Sequence, residues 1–147
     1  MDRRTTTYSF KDLTGVIAHP YATAFKLVGA GIGEIQIVMT TDRTQHDIAA
    51  DGSVMVSKIE AFNGTIKISC QQTSDLHKFL IGLQNYLDTA PASQWALITI
   101  ALRNATDGIS HFATGVSFGK RADKSYKAQG QNVDWTLHAA DIQSQPF

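Results

Sequence analysis

The sequence predicts a mainly β protein of the α+β class, an antiparallel β-sandwich or barrel of two sheets with one flanking amphipathic α-helix. Segments in which apolar and polar residues alternate recur along the chain, and turn dipeptides such as Asp51-Gly52 and Asn63-Gly64 separate them, which gives at least seven short strands. Only the segment after Ser74 repeats its leucines at helical spacing. A length of 147 residues suits one domain, which we expect to span residues 1–147.

The two turn dipeptides bound the most regular part of the chain. Residues 53–62, after Asp51-Gly52, have a length suited to one strand, and residues 65–71, after Asn63-Gly64, form the next. We expect these two strands to pair as a hairpin. In the second strand Ile66, Ile68 and Cys70 alternate with polar residues, which predicts one buried face and places Cys70 in the core.

The predicted helix follows directly. Ser74 can accept a hydrogen bond from a free amide of the first turn, and Asp75 places negative charge near the positive end of the helix dipole. A stripe of five apolar residues faces the core: Leu76, Phe79, Leu80, Leu83 and Leu87.

The remaining strands are shorter or less regular. On the amino-terminal side they cover residues 8–17, interrupted near Gly15 and stopped by His19-Pro20, then residues 22–28 and 35–39. Residues 29–33 are rich in glycine, but a strand rather than a helix follows them, so a turn is favoured over a phosphate-binding loop.

Three further strands follow the helix. Residues 95–103 are predicted as a central strand and residues 104–108 as a turn. Residues 110–119 follow with Phe112, Val116 and Phe118 on one face, and residues 133–139 form the terminal strand.

Two polar segments interrupt this pattern. Residues 41–50 are predicted as a long polar connection, and residues 119–132 as a polar and basic loop. Long connections in compact domains are usually functional, but the residues alone favour a solvated loop over residues 41–50 and a solvated or subunit-contacting loop over residues 119–132. With the family resemblance given below, their candidate inter-subunit or inter-ring residues are Thr41, Asp42, Arg43, His46, Asp47, Lys120, Arg121, Lys124, Tyr126 and Lys127.

Composition argues against several functions. Thirteen basic and thirteen acidic residues cancel, which is unfavourable for a nucleic-acid-binding protein and favours self-association. One cysteine excludes an internal disulfide, and neither a signal peptide nor an apolar span of twenty residues is visible, so synthesis in a cytoplasm without membrane insertion is expected.

No catalytic motif is visible. The five histidines are expected on loops, on the helix surface and on the wet faces of strands, without metal-ligand spacing, and no cofactor is expected. An alternative remains a small enzyme or ligand-binding barrel that uses Asp42, His46 and the glycine-rich turn.

The order of features resembles the tail tube proteins of contractile-tailed bacteriophages. The resemblance rests on Tyr8-Ser9-Phe10-Lys11-Asp12-Leu13-Thr14, the glycine-rich turn, Ala50-Asp51-Gly52, Gly64-Thr65-Ile66, Thr73-Ser74 before the helix, and Lys120-Arg121 through to Val133-Asp134-Trp135-Thr136. It covers nearly the whole chain.

The resemblance implies a non-enzymatic structural subunit whose six copies form a ring, with rings stacked into a hollow tube for genome delivery. It also implies a fold similar to the inner tube of type VI secretion systems, sheath and baseplate proteins as partners, DNA only in passage, and a place in the virion tail. Another ring-forming tail or secretion component, such as a terminator, stays open. A channel wall should not hold DNA, so Thr65, Lys67, Ser69 and Gln71 are our candidate channel-facing residues.

Overall fold

The computed structural model describes residues 5–27 and 31–146, and these ranges contain ten strands and one α-helix. The elements are β1 (Leu13–Ala18), β2 (Ala24–Lys26), β3 (Ile32–Met39), β4 (Thr44–Ile48), β5 (Val54–Lys58), β6 (Gly64–Gln71), α1 (Asp75–Thr89), β7 (Ile98–Asn104), β8 (Ile109–Phe118), β9 (Asn132–Ala139) and β10 (Asp141–Pro146). Short 3₁₀ turns precede β1 and β7.

Eight strands form one continuous antiparallel sheet in the order β2-β1-β7-β8-β9-β6-β3, with β10 paired to β8. Strands β4 and β5 form a second sheet of two strands. Within the described residues the large sheet begins at β2 and ends at β3 and does not close into a barrel. The predicted class, antiparallel sheets with one flanking helix, is confirmed, and of the two predicted alternatives the sheet is open rather than closed into a barrel.

The large sheet folds over on itself where β8 passes from one half to the other. Most of β8 pairs with β7 and β10, whereas Ser117 and Phe118 pair with β9. Gly115 lies at the change with φ of 62°, a conformation that favours glycine. The halves enclose one core, to which Ile17 and Ile100 contribute from one side and Trp135 from the other.

The helix covers this core as predicted. The Ser74 hydroxyl accepts a hydrogen bond from the backbone N–H of His77 at 3.2 Å, which confirms the N-cap. The four leucines of the stripe are buried, and Phe79 is half-buried and stacks on Phe25 with ring centroids 5.2 Å apart.

The predicted pairing of residues 53–62 with residues 65–71 is wrong. Strand β5 pairs with β4, and β6 pairs with β3 and β9. Gly52 does adopt a positive φ of 89°, but Gly64 begins β6 and is not among the described glycines with positive φ. A Cβ on Gly64 would lie 2.5 Å from the Val38 carbonyl oxygen, so a close approach of two strands, not a turn, explains this glycine.

Strand β8 differs from the prediction in which residues share a face. An irregularity in its pairing with β7 lies between Ile98 and Ile100, so Ala113 and Val116 both point inward. Phe112 consequently points outward and is 49% exposed, whereas the alternation places it with Val116 and Phe118.

The predicted terminal strand, β9, is followed by a further strand, β10. Strand β10 buries Ile142 and is otherwise polar, so its sequence carries little strand signal. Gly29 and Ala30 of the glycine-rich turn, and Val28 before it, lie outside the described residues.

Candidate assembly surfaces

Residues 41–62 leave the large sheet between β3 and β6 and are called the arm here. Its two strands pair from Thr44 with Lys58 to Ile48 with Val54, so the predicted polar connection over residues 41–50 is wrong for β4, which is a strand. All ten residues of β4 and β5 are exposed. The arm has no buried face, and the apolar pattern that identifies a strand in a sequence is therefore weak in β4.

The base of the arm is well anchored. Asn63 Nδ2 donates to Thr40 Oγ1 at 2.9 Å, and Thr41 Oγ1 donates to Asn63 Oδ1 at 2.9 Å. The Arg43 guanidinium lies 4.1 Å from the centroid of the Phe62 ring, and its Nε donates to the Ile59 carbonyl oxygen at 2.8 Å. These contacts fix the arm to the end of the β3–β6 pair.

The tip of the arm is a tight turn. The backbone N–H of Gly52 donates to the Ala49 carbonyl oxygen at 3.0 Å, and Asp51 Oδ1 accepts from the backbone N–H of Ser53 at 2.9 Å. That hydrogen bond lowers the pKa of Asp51, which keeps its carboxylate charged.

Cross-strand pairing gives the arm one apolar face. Directly paired residues share a face, so Ile48, Val54 and Val56 lie together, with exposures of 71%, 52% and 60%. We call these three residues the apolar stripe. An exposed row of aliphatic side chains on a two-stranded ribbon is typical of a surface that binds another protein.

The predicted channel-facing residues lie on β6, in the middle of a polar face. Lys67 lies between Gln36 of β3 and Thr136 of β9, and Ser69 lies between Glu34 and Asp134, whereas Gln71 pairs with Asn132 of β9 beyond the end of β3. Lys67, Ser69 and these four neighbours line a shallow depression of about 350 Å³. We call the outward side of β3, β6 and β9 the polar face.

Two of the four predicted channel residues are exposed and two are not. Lys67 and Gln71 are exposed and Ser69 is half-buried. Thr65 is buried at 8% exposure because it lies beside His138, whose Nδ1 is 3.4 Å from the Thr65 hydroxyl. Sequence reasoning missed Glu34, Gln36, Asp134 and Thr136, although their alternation with apolar residues placed them on the same kind of face.

The basic segment is a loop, as predicted, with no helix or strand over residues 119–131. Arg121 holds it to the helix, because its Nε donates to Gln84 Oε1 at 3.0 Å and its guanidinium also binds Asn85. Lys120 pairs with Asp123 at 3.7 Å, and Lys124 lies 5.2 Å from the ring centroid of Tyr126, which is 80% exposed. Lys127 is exposed as well.

His77 departs from its expected position, and His19 lies in a loop as expected but is buried there. His77 is not on the helix surface: it is 2% exposed, and its Nδ1 accepts a hydrogen bond from Trp135 Nε1 at 3.0 Å. His19 is in a loop but buried, with Nε2 2.8 Å from the Gln94 carbonyl oxygen. Among the described residues, no three side chains of histidine, cysteine, aspartate or glutamate come together in a way that could hold a metal ion.

Cys70 is fully buried, and burial raises the pKa of its thiol, as expected for a core cysteine. In the described part of the chain, no helix has the length and apolar character that a membrane crossing requires.

Similar solved structures include chains of an anti-feeding prophage and of an extracellular contractile injection system. A chain of the anti-feeding prophage tube-terminating cap is 8% identical, with a TM-score of 0.61, over 97% of this chain and 93% of that one. A chain of the sheath–tube complex of an extracellular contractile injection system, PVC, is 8% identical, with a TM-score of 0.60, over 96% and 93%. A chain of the PVC sheath/tube terminator is 8% identical, with a TM-score of 0.61, over 96% and 98%.

At these identities the solved structures establish the fold alone. No curated protein matches the sequence. The family model described as bacteriophage PhiTE tail tube protein, however, matches residues 5–145, nearly the whole chain. The resemblance seen in the sequence is confirmed, and this chain belongs to the bacteriophage PhiTE tail tube protein family.

Proposed function

We propose that six copies of this chain close into a ring and that rings stack into the hollow tube through which a phage genome is delivered. The subunit is a structural protein without catalytic activity, and it acts in the virion tail after assembly in the host cytoplasm. The observation that carries this proposal is the arm, whose apolar stripe is exposed in the single subunit.

The arm supports self-assembly for an energetic reason. A two-stranded ribbon is marginally stable by itself in water, and each buried valine or isoleucine contributes roughly 1.5–3 kcal/mol when it leaves water. Ile48, Val54 and Val56 make no such contribution in the isolated subunit because they are exposed. Contact with another subunit buries these side chains and so supplies this stabilisation.

The polar face supports a channel-lining role. Glu34, Lys67 and Asp134 are the charged residues that line its depression, so its net charge there is −1 with two carboxylates and one ammonium. A weakly negative wall repels DNA phosphates slightly and offers no row of cations to hold them. We therefore place Lys67, Ser69 and Gln71 toward the channel, with Thr65 behind them.

The loop over residues 119–131 is proposed as a second subunit contact. Arg121 is hydrogen-bonded to the helix and so positions the loop. Tyr126 and Lys127 are exposed to solvent and accessible to another subunit. A tyrosine that is 80% exposed beside a lysine offers a large contact area to a neighbour. Sheath and baseplate proteins are the proposed partners of the assembled tube.

The test is to remove the arm and keep the pairing of β3 with β6. Met39 pairs with Gly64, and Thr40 already bonds to Asn63, so replacing residues 41–62 by Asn-Gly leaves a two-residue hairpin between β3 and β6. The replacement removes the Phe62 carbonyl oxygen that accepts from the Ile142 backbone N–H at 2.9 Å, so we expect this arm-replaced variant to fold with somewhat lower stability and to give no tubes by electron microscopy. The wild-type protein should give tubes with sixfold end views.

A matched control changes the arm without removing it. Met55 lies on the opposite side of the arm from the apolar stripe, so Met55→Ser should leave tubes intact, whereas Val56→Ser should reduce them. Long tubes from the arm-replaced variant would contradict the proposed role of the arm, and a wild-type protein that stays monomeric at high concentration would contradict the tube itself.

A tube terminator is the second candidate. It is favoured by the cap and terminator chains among the similar structures, whose TM-scores equal that of the sheath–tube chain within 0.01. A terminator should form single rings that bind a tube end, whereas a tube subunit should form stacks, and the same electron micrographs separate the two.

A further inference from the structure

The outward side of β1, β7 and β8 carries a second unpartnered apolar surface. Val16, Ala101 and Phe112 line a depression of about 460 Å³ there, and Gly15 adds no side chain to its floor. Phe112 is 49% exposed and Val16 36% exposed. We call this depression the apolar depression; its volume is in the range of roughly 300–1,000 Å³ that is usual for binding pockets.

The apolar depression and the arm carry opposite charges. Lys26 and Arg103 line the depression, and no acidic residue does. The arm contains four acidic residues, Asp42, Asp47, Asp51 and Glu60, and two basic ones, Arg43 and Lys58, so its net charge is −2 with histidine neutral. Asp51 lies at its tip and Asp47 on the side away from the apolar stripe, while Lys58, on the side of the stripe, pairs with Glu60 at 3.2 Å. One surface is apolar with a positive rim, and the other is apolar and belongs to an arm of net negative charge.

We propose that the arm of one subunit docks, with its apolar stripe inward, into the apolar depression of a second copy. This inference rests on the proposed self-assembly and names the surface that receives the arm. Complementary patches on different parts of one chain make a heterologous contact, which repeats from copy to copy instead of ending at a dimer.

Other surfaces of the chain fit the arm less well. The cleft between the helix and the β1–β2 connection, about 480 Å³, is lined by Tyr21, Phe79 and Tyr86 but by no charged residue. The polar face is net negative where its depression lies, so it repels the arm. Arm against arm would bring together two arms that each carry a net charge of −2. Among these surfaces of the described residues, the apolar depression combines apolar contact with opposite charge.

The test is an intermolecular disulfide between the two surfaces. Val56→Cys marks the apolar stripe and Phe112→Cys marks the apolar depression, while native Cys70 is buried and out of reach. Under mild oxidation, the chain with both substitutions should give a ladder of dimers, trimers and larger species on a non-reducing gel. Each single variant should stay monomeric.

A matched control moves the second cysteine to Tyr21, an aromatic side chain of 63% exposure that does not line the apolar depression. Val56→Cys with Tyr21→Cys should give no ladder.

A second test changes the charge at the rim of the apolar depression. Lys26→Glu should slow tube growth at low salt at least tenfold, whereas Lys78→Glu, at an exposed lysine on the helix, should not.

The outcomes separate this inference from the tube itself. Tubes without a Val56–Phe112 ladder overturn the docking site and leave the tube standing. A ladder without rings or tubes supports the docking site and contradicts the tube. Dimers from Val56→Cys alone mean that arm meets arm, and a ladder from the Tyr21 control means that the arm binds the aromatic cleft; either result overturns the proposal.

Discussion

The hydrogen bond between His77 and Trp135 joins the start of the helix to the centre of β9 inside the core. Because Trp135 donates to Nδ1, the neutral imidazole carries its proton on Nε2, and that atom is buried without a partner among the described groups. Burial lowers the pKa of His77, and the charge of Lys124 on the loop lowers it further. The folded state therefore keeps His77 neutral.

This arrangement predicts acid destabilisation. The unfolded chain protonates His77 near the ordinary value, about 6.5, whereas the folded chain does so only at lower pH. Stability contributed by the neutral imidazole is complete above that ordinary value and declines as pH falls below it, with a slope of at most about 1.4 kcal/mol per pH unit from this one group. Urea unfolding of the arm-replaced variant between pH 7.5 and 5 measures it.

The control for this prediction is substitution at His77 itself. His77→Gln keeps an acceptor for Trp135 but cannot titrate, so in the arm-replaced variant its unfolding free energy should depend less on pH than that of the parent. Equal pH slopes for the parent and His77→Gln would contradict the assignment.

Two glycines with opposite surroundings give a prediction about side-chain space. A Cβ on Gly15 in β1 would lie 2.5 Å from the Ala101 carbonyl oxygen, which cannot move without shifting β7. A Cβ on Gly82 in α1 would meet nothing within 4 Å. Gly15→Ala should cost about 1–3 kcal/mol of unfolding free energy, and Gly82→Ala should add roughly 0.5–1 kcal/mol. Denaturant unfolding of both variants checks this, and similar shifts in one direction would contradict it.

At the scale of elements, the helix and the core strands could be predicted from sequence because burial imposes a period on them. Leu76, Leu80 and Leu83 repeat at helical spacing, and Ile66 and Ile68 alternate, since each contacts the same core. Strand β4 is exposed on both faces, so no such period exists, and its polar residues resemble a loop. The sequence therefore predicted the core well and the arm poorly.

Pairing partners and register were harder to predict for a related reason. Neighbouring strands in a sequence usually pair, which favoured β5 with β6, but the arm is inserted between β3 and β6 and pairs within itself. Ala113 and Val116 both point inward because the pairing of β8 with β7 is irregular opposite Thr99. This irregularity arises from how the two strands pair, not from the sequence of β8 alone. Neither feature is visible in one segment alone.

At the scale of the whole molecule, the subunit presents surfaces of different character. The polar face on β3, β6 and β9 is wet and weakly negative, the apolar depression on β1, β7 and β8 has a positive rim, and the arm extends from the end of the β3–β6 pair. A closed ring needs one wettable surface toward its bore and complementary surfaces toward its neighbours. In the proposed orientation the polar face lines the bore, and the arm and the apolar depression contact neighbouring copies.

This orientation can be tested by the size of a labelling reagent. Ser69→Cys places a thiol in the middle of the polar face, beside Glu34 and Asp134. In tubes, a small maleimide should enter the bore and label it, whereas a maleimide carrying a long polymer should be excluded. In arm-replaced subunits, which stay separate, both reagents should react. Mass spectrometry of the labelled protein measures the ratio.

Gln36→Cys, one strand away on the same face, provides a second probe that should behave in the same way. Lys78→Cys, on the exposed side of the helix, provides the contrast, because a residue that belongs neither to the polar face nor to the proposed contact surfaces should react with the large reagent even in tubes. If the large reagent labels Ser69→Cys in tubes as fast as in separate subunits, the polar face is on the outside and the channel-facing assignment is wrong. If neither reagent labels it in tubes, the face is buried between subunits, which contradicts the same assignment by a different route.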